Sequence, residues 1–321
     1  MTARRKAFLA RPLPASVESN IAQTFDLVRA EGDRILSPAE IEAGAKGCHS
    51  LWVSAMQPVP RDTIAALAPE LKAIGTVSVG FNHIDLDACR EHGVAVFYSP
   101  GVLSDACADL GVMLLLNAAR RGHEAEALLR SGTWTGYANT QLLGISLTGR
   151  RVGILGMGRI GQAVAARLRG FGVDIHYHNR SRLKPAEELG ATYHATGEAL
   201  LKVSDFLILC APGVPELHKF LNRDRIELLP ENPVVVNISR GDTVDDDALI
   251  EALQSKRIFA AGLDVYANEP KLDMRYTKLE NTFLTPHIAS ATTDTRHAMG
   301  MLVLNGILAH EAGDSPDNQL C

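Results

Sequence analysis

No run of apolar residues in this chain is long enough to cross a bilayer. The longest, such as Gly111 to Leu116, fall well short of the roughly 18 to 20 residues that a spanning helix needs, so no membrane partner is expected. Cysteine is scarce and scattered. Cys48, Cys89, Cys107, Cys210 and Cys321 contain no C-x-x-C pair, which suggests neither a disulfide framework nor a zinc or other metal site. A reducing cytoplasm fits that usage best. There is no excess of positive charge either, since the formal net charge is -5, and a nucleic-acid partner is not expected. Low-complexity segments are absent, as is any repeat beyond two α/β halves. A targeting peptide is not expected, because the apolar piece after Arg4, Arg5 and Lys6 is only Ala7 to Ala10 before Pro12 and Pro14 intervene. A first strand is the simpler reading.

What is present is an ordinary globular composition, 46% apolar and 21% charged over 321 residues, enough for about two domains. One stretch organises it. Arg151-Val-Gly-Ile-Leu155 is a short apolar run, and Gly156-Met-Gly-Arg-Ile-Gly161 follows directly. This is G-x-G-x-x-G between a strand and a helix, the setting that gives the motif meaning. Gly156 permits the turn, Gly158 lets a pyrophosphate approach the backbone, and Gly161 lets the helix pack on the strand. Arg159 and Ile160 then open the helix whose free N–H groups face the pyrophosphate. Ala163, Val164, Ala166, Leu168 and Phe171 form its apolar side, Gly172 ends it, and Val173 to His178 resumes as a strand. A carboxylate after that strand would hold the ribose of NAD. Here Asn179-Arg-Ser-Arg182 stands instead, and the guanidiniums of Arg180 and Arg182, with Asn179 and Ser181, suit a 2′-phosphate. NADP(H) is the cofactor expected, with a solvated basic loop as the alternative.

Along the rest of the chain, short apolar runs alternate with helical segments, which predicts an α/β protein of two doubly wound parallel-sheet domains. Strands are expected at Lys6 to Ala10, Asp26 to Arg29, Ser50 to Val53, Leu71 to Thr76 and Val94 to Phe97. In the second half they fall at Phe206 to Cys210, Val234 to Ile238, Phe259 to Leu263 and Thr282 to Leu284. Ser37-Pro-Ala-Glu40 reads as a capping box with proline at the first helical position. Further helices are expected near Ala199, Asn222 and Asp246, and over about Ala298 to His310. Ser99-Pro-Gly101 marks a domain boundary. After it Ser104 caps a long helix packed through Ala106, Leu110, Met113, Leu114 and Leu116. Trp134 and Tyr137 follow in a polar loop, where they serve a subunit contact, a substrate wall or packing within the chain.

Residues that can do chemistry sit at the predicted strand ends. Ser78-Val-Gly80 leaves N–H groups able to hold an anion, unless it is a plain glycine turn. Arg240 can bind a carboxylate through two N–H groups. His287 can give and take a proton near neutrality, and Glu269 beside it would orient the ring and favour its protonated form. Each can also be a turn or structural residue, and spacing alone does not show that the three meet.

Taken together, these motifs give the chain a specific likeness. It resembles the D-isomer-specific 2-hydroxyacid dehydrogenase family, and within it the glyoxylate/hydroxypyruvate reductase branch, over nearly its whole length. The likeness is carried by Ser78-Val-Gly-Phe-Asn-His-Ile-Asp85, Gly156 to Gly161, Asn237-Ile-Ser-Arg-Gly-Asp242 with Val244-Asp245, Ala261-Gly-Leu-Asp-Val265 with Glu269-Pro270, and Thr285-Pro-His-Ile-Ala-Ser290. It implies a flavodoxin-like substrate domain (residues 1–100 plus 288–321) and a Rossmann cofactor domain (101–287). It implies that Arg240 holds the substrate, that His287 is the acid/base and that Glu269 is its partner. Val79 and Gly80 would contact the substrate carboxylate, Ser290 would line the pocket, and Cys210, Pro212, Ile238 and Asp264 would lie along the cofactor. The expected reaction is NADPH-dependent reduction of a small 2-keto acid such as glyoxylate or hydroxypyruvate. Members are usually homodimers, the loop of Trp134 and Tyr137 reaching toward the partner. A 2-ketogluconate or other sugar-acid reductase is the nearest alternative, and a dinucleotide-sensing regulator a more distant one. Two stretches depart from the family pattern: Cys107-Ala-Asp109 replaces Thr-Ala-Glu, and Pro212-Gly-Val-Pro-Glu-Leu217 lacks the usual leucine and threonines. Both touch the approach to the nicotinamide rather than the catalytic set.

Overall fold

Parallel strands buried on both faces read as continuous apolar runs, and such runs become the strands here. The computed structural model describes residues 4–321, and contacts divide the chain into two units, the segment ending at Leu103 together with Ser290–Cys321, and Ser104–Ala289. The first unit runs β1 (Lys6–Leu9), α1 (Ala15–Thr24), β2 (Asp26–Arg29), α2 (Pro38–Ala45), β3 (Ser50–Ser54), α3 (Arg61–Leu67), β4 (Ala73–Val77), α4 (Leu86–His92) and β5 (Ala95–Phe97). Its all-parallel sheet has the order β2-β1-β3-β4-β5, the flavodoxin-like arrangement. The start of α2 is set as its sequence predicts: Ser37 accepts from the Glu40 N–H, and the Glu40 carboxylate accepts from the Ser37 N–H.

In the second unit come α5 (Ser104–Ala119), α6 (Gly122–Arg130), β6 (Arg151–Leu155), α7 (Arg159–Leu168), β7 (Asp174–His178), β8 (Thr192–Tyr193), α8 (Gly197–Leu201), β9 (Phe206–Leu209), α9 (Arg223–Ile226), β10 (Val234–Asn237), α10 (Asp246–Gln254), β11 (Ala260–Leu263) and β12 (Thr282–Leu284). The order β12-β11-β10-β9-β6-β7-β8, parallel throughout, reverses direction between β6 and β9. Alternate residues of one strand enter different cores. Phe206 and Ile208 join α5 and α7 on one face, while Leu207 and Leu209 join α8, α9 and α10 on the other. This two-sided burial makes the sheet doubly wound. The chain then returns to the first unit as α11 (Thr293–Glu311), capped by Thr292 and buried through Met299, Gly300, Val303, Leu304, Gly306 and Ile307.

Most expected strands lie within a residue or two of the observed ones, and three details differ. The strand β8 was not foreseen, being too short to show alternation. Helix α11 starts earlier than Ala298 because its first turn, Thr293 to Arg296, is polar. The buried face of α5 is Ala106, Cys107, Ala108, Gly111, Leu114, Leu115, Ala118 and Ala119, with Leu110, Met113 and Leu116 only partly covered. Small residues decide that face. A side chain at Gly111 would press on Ile238, and one at Gly262 of β11 would press on Leu114, so the helix lies where backbones come closest.

One polar tie crosses the floor of the second sheet. Asp205 accepts from the backbone N–H of Arg151 at 2.9 Å and from its guanidinium at 2.8 and 3.1 Å. Burial pushes the Asp205 carboxyl up, but these bonds and the Arg151 charge outweigh it and the balance lies below the ordinary 3.8. A carboxyl depressed in the fold contributes stability that is complete above its unfolded pKa and is lost as pH falls through the folded one. Asp205→Ala should therefore lower the unfolding free energy by roughly 1.5–3 kcal/mol at neutral pH, and the gap should close as the pH drops below the ordinary aspartate range. Urea midpoints of the two proteins at pH 7 and at strongly acidic pH check this, and equal midpoints at pH 7 would refute it.

Candidate active site

The turn from β6 into α7 is built by glycines with different duties. Gly156 has φ 95°, a conformation that favours glycine, and a Cβ there would also collide with the backbone of Ala211. A Cβ at Gly161 would strike the Gly156 carbonyl, whereas nothing stands near Gly158. Open space therefore lies at the middle glycine, over the start of a helix whose N-cap has no side-chain acceptor and whose first turn has no acidic residue. Such a helix start fits a pyrophosphate. It also sits at the reversal of strand order, where ligands bind in open α/β sheets.

Two polar residues of the loop after β7 are held by contacts within the fold. Asn179 Oδ1 accepts from the Met157 N–H at 2.6 Å, so this side chain braces the glycine turn. Arg182 is paired with the Glu188 carboxylate at 2.7 and 3.2 Å, and Glu188, buried, also accepts from the Tyr177 hydroxyl at 2.8 Å. The Tyr177 oxygen in turn accepts from the Leu183 N–H at 3.1 Å. Arg182 is thus part of a closed ring of contacts. Arg180 and Ser181 are exposed, and among the described residues no hydrogen bond or ion pair engages either side chain. Of the two guanidiniums expected at a 2′-phosphate, Arg180 alone is uncommitted.

At the other side of the sheet, Arg240, Glu269 and His287 follow three neighbouring strands, β10, β11 and β12. His287 Nδ1 lies 2.7 Å from Glu269 Oε2, and Glu269 Oε1 accepts from the Tyr266 N–H at 2.8 Å. The carboxylate is 15% exposed and the imidazole 36%, so the pair is anchored on one side and open on the other. Burial pushes the Glu269 carboxyl up. The His287 hydrogen bond and charge, the Tyr266 N–H and the Arg240 charge outweigh it, and the balance lies below the ordinary range. Glu269 is therefore within electrostatic reach of both His287 and Arg240. Arg240 is brought there by Gly241, where any side chain would run into the backbone of Tyr266 and Ala267. Its own stem lies over Gly213, where a Cβ would be 2.9 Å from Arg240 Cγ. Asn237 fixes the same turn, its Oδ1 accepting from Ser239 and its Nδ2 donating to the Arg240 carbonyl at 2.9 Å.

His287 has φ 53°, unusual for a residue with a side chain and a mark of a position that its surroundings dictate. Its N–H donates to the Asp264 carbonyl at 2.8 Å. The Asp264 carboxylate, wholly buried, accepts from the Thr285 hydroxyl at 2.6 Å and from the Ile288 and Ala289 N–H groups at 2.8 and 2.9 Å. Burial outweighs these donors and the His287 charge and raises its carboxyl above the ordinary aspartate range. The Asp264 side chain, expected along the cofactor, holds the histidine loop. Ile238, also expected along the cofactor, has its side chain buried in the core against α5. Cys210 is half-buried, and its thiol is pushed up by burial and by Cys107. Pro212 is exposed. Asp109, one of the departures from the family pattern, pairs with Arg167 of α7 at 2.5 Å.

The remaining candidates lie in the first unit. After β4, Ser78 donates to the Gly80 carbonyl at 2.7 Å and meets Thr76 at 2.7 Å. Among the described residues the Val79 and Gly80 N–H groups enter no hydrogen bond, and Val79 is exposed. Beyond them the Phe81 ring meets Tyr98 edge-on, centroids 5.9 Å apart. Ser290 is half-buried.

The model of the NAD-binding domain of D-isomer-specific 2-hydroxyacid dehydrogenases matches residues 112–289. The glyoxylate reductase of Thermococcus litoralis is 43% identical over 78% of this chain and 77% of its own. The chain belongs to the D-isomer-specific 2-hydroxyacid dehydrogenase family. Within that family, a solved structure from Polaromonas sp. JS6 66, assigned to the same dehydrogenases as NAD-binding, is 54% identical with a TM-score of 0.97, covering 99% of this chain and 100% of that one. The NADPH-dependent glyoxylate/hydroxypyruvate reductase of Sinorhizobium meliloti, solved with NADP and malonate, is 34% identical with a TM-score of 0.88, covering 99% and 97%. Tyr266 is a residue beside this cluster that sequence reasoning did not single out. Its hydroxyl lies 3.0 Å from both the Leu263 and Thr285 carbonyls, linking the ends of β11 and β12 beneath the Glu269–His287 pair. No spacing signal pointed to it.

Proposed function

We propose that this dehydrogenase uses NADPH to reduce small 2-keto acids, glyoxylate and hydroxypyruvate among them, to the corresponding 2-hydroxy acids. The 2.7 Å Glu269–His287 contact beside the Arg240 charge is the observation that carries this reading. A bound dihydronicotinamide supplies the hydride. Arg240 offers paired N–H donors to the substrate carboxylate. With Nδ1 turned to Glu269, His287 presents Nε2 outward, and from there its proton passes to the oxygen on which negative charge grows. Glu269 holds the ring and balances its charge while it is protonated. Val79, Gly80 and Ser290 remain proposed substrate contacts by likeness of motif, and a cytoplasmic location belongs to the same proposal.

His287→Ala should lose on the order of 10² to 10⁴ in kcat while NADPH affinity stays close to the parent's. Steady-state kinetics over a panel of 2-keto acids, with 2-ketogluconate included, measures this, and near-full kcat in the variant would mean that another group is the acid.

The preference for NADPH rests on Arg180, with Ser181 beside it and no carboxylate at Asn179 to repel a phosphate. Removing one charge-assisted partner costs roughly 1.5–3 kcal/mol. Arg180→Ala should accordingly raise the KM for NADPH by about ten-fold or more and change that for NADH far less. An equal effect on both cofactors would remove Arg180 from the phosphate site.

We also infer a homodimer. Leu129, Trp134, Tyr137 and Leu143 are exposed by 50% or more, an apolar group that a second copy can cover. Light scattering should give about twice the 34.6 kDa chain mass. A fully active monomer would contradict it.

A further inference from the structure

A reactive pair lies apart from this chemistry, in the first unit. Cys89 is wholly buried on α4. Its carbonyl accepts from the Val94 N–H at 2.9 Å, and the Val94 carbonyl faces the Cys321 thiol at 3.7 Å. The segment that carries Cys321 is firmly placed. Leu320 N–H donates to Val96 at 2.8 Å and Val96 N–H to Cys321 at 3.2 Å, while the Asn318 amide donates to the Tyr98 and Leu302 carbonyls at 3.0 Å each. Cys321 and Leu320 thereby pack on the same core cluster that contains Cys89, and the two thiols lie within hydrogen-bonding reach of each other.

We propose that Cys89 and Cys321 are a redox modification site, forming a reversible disulfide by exchange with a low-molecular-weight disulfide of the glutathione type.

The two sulfurs differ in the way that such an exchange needs. Cys321 is half-exposed. The Cys89 hydrogen bond and the Arg90 charge outweigh burial and bring its thiol down to about 7, close to the acidity at which an attacking thiol is most effective near neutral pH. Cys89 is pushed far up by the same hydrogen bond, by burial and by the charge of Asp85, so it does not compete as the first attacker. The Cys321 thiolate attacks one sulfur of the oxidant, forming a mixed disulfide and expelling one thiolate. Cys89 gives its proton to that thiolate and attacks the Cys321 sulfur, expelling the second half of the oxidant as a thiolate, which takes up from solvent the proton that Cys321 released on ionising. Two protein thiols are oxidised and one external disulfide is reduced to two thiols. The resolving sulfur is sheltered, so external thiols reach the bridge from the Cys321 side.

The test is to treat the reduced full chain with oxidised glutathione at neutral pH and to follow intact mass and peptide mapping. The parent should lose two hydrogen atoms, yield a joined Cys89–Cys321 peptide, and revert with dithiothreitol. Cys89→Ser, which keeps a hydrogen-bond donor toward Cys321 but has no resolving sulfur, should stop as a stable glutathione adduct on Cys321, and Cys89→Ala, which removes the donor as well, should reach the same adduct more slowly. Cys321→Ser should form neither bridge nor adduct at Cys89. A parent protein that keeps the adduct on Cys321 without bridging, or whose Cys321 stays unmodified, would overturn the proposal.

Discussion

The candidate site depends on one buried carboxylate. Asp264 occupies the end of β11 with no access to water, and its side chain and carbonyl together take the N–H groups of His287, Ile288 and Ala289 and the hydroxyl of Thr285. An ionised group in such a place is tolerable only when donors surround it. Those donors come from the loop after the neighbouring strand, so the requirement of the charge becomes the geometry of the loop. The left-handed backbone of His287 follows from this, and with it the direction of the ring toward Glu269. Tyr266 closes the arrangement from below by tying the same two strand ends together.

Topology does the rest. Residues 240, 269 and 287 are far apart in sequence, but β10, β11 and β12 are consecutive in the sheet and parallel, so whatever follows their carboxyl ends must share one edge. Whether neighbouring loops can then touch is a question of backbone clearance. Gly241 answers it, since a methyl group at that position would not fit against Tyr266 and Ala267. The family pattern of an arginine followed by a glycine thus has a steric reason as well as a chemical one.

Much of this was legible in the order of residues. Strands buried on two faces show as apolar runs, the capping box of Ser37 and Glu40 is local, and the glycine motif takes its meaning from the strand before it and the helix after it. Roles settled by side-chain competition were not legible. Asn179, Arg182 and Asp264 are all polar residues at expected ligand positions, and the structure has them engaged by Met157, Glu188 and the histidine loop. Spacing gives residue type and rough location but not whether a hydrogen-bonding group is already satisfied. The packed residues expected on α5, Ala106, Leu110, Met113, Leu114 and Leu116, do pack, but the small residues beside them were passed over, and at Gly111 the absence of a side chain lets Ile238 come close.

The ring formed by Arg182, Glu188, Tyr177 and the Leu183 N–H has a consequence for descent. Two arginines only two positions apart are under unlike constraints, because one is part of the scaffold that shapes the loop and the other stands free on it. Lineages can exchange residue 180 with little disturbance to folding, whereas residue 182 can change only in concert with 188. On the proposed reading, selection for a different coenzyme would act on a position that the fold leaves unguarded, so residue 180 should vary more readily than the shape of the loop that carries it.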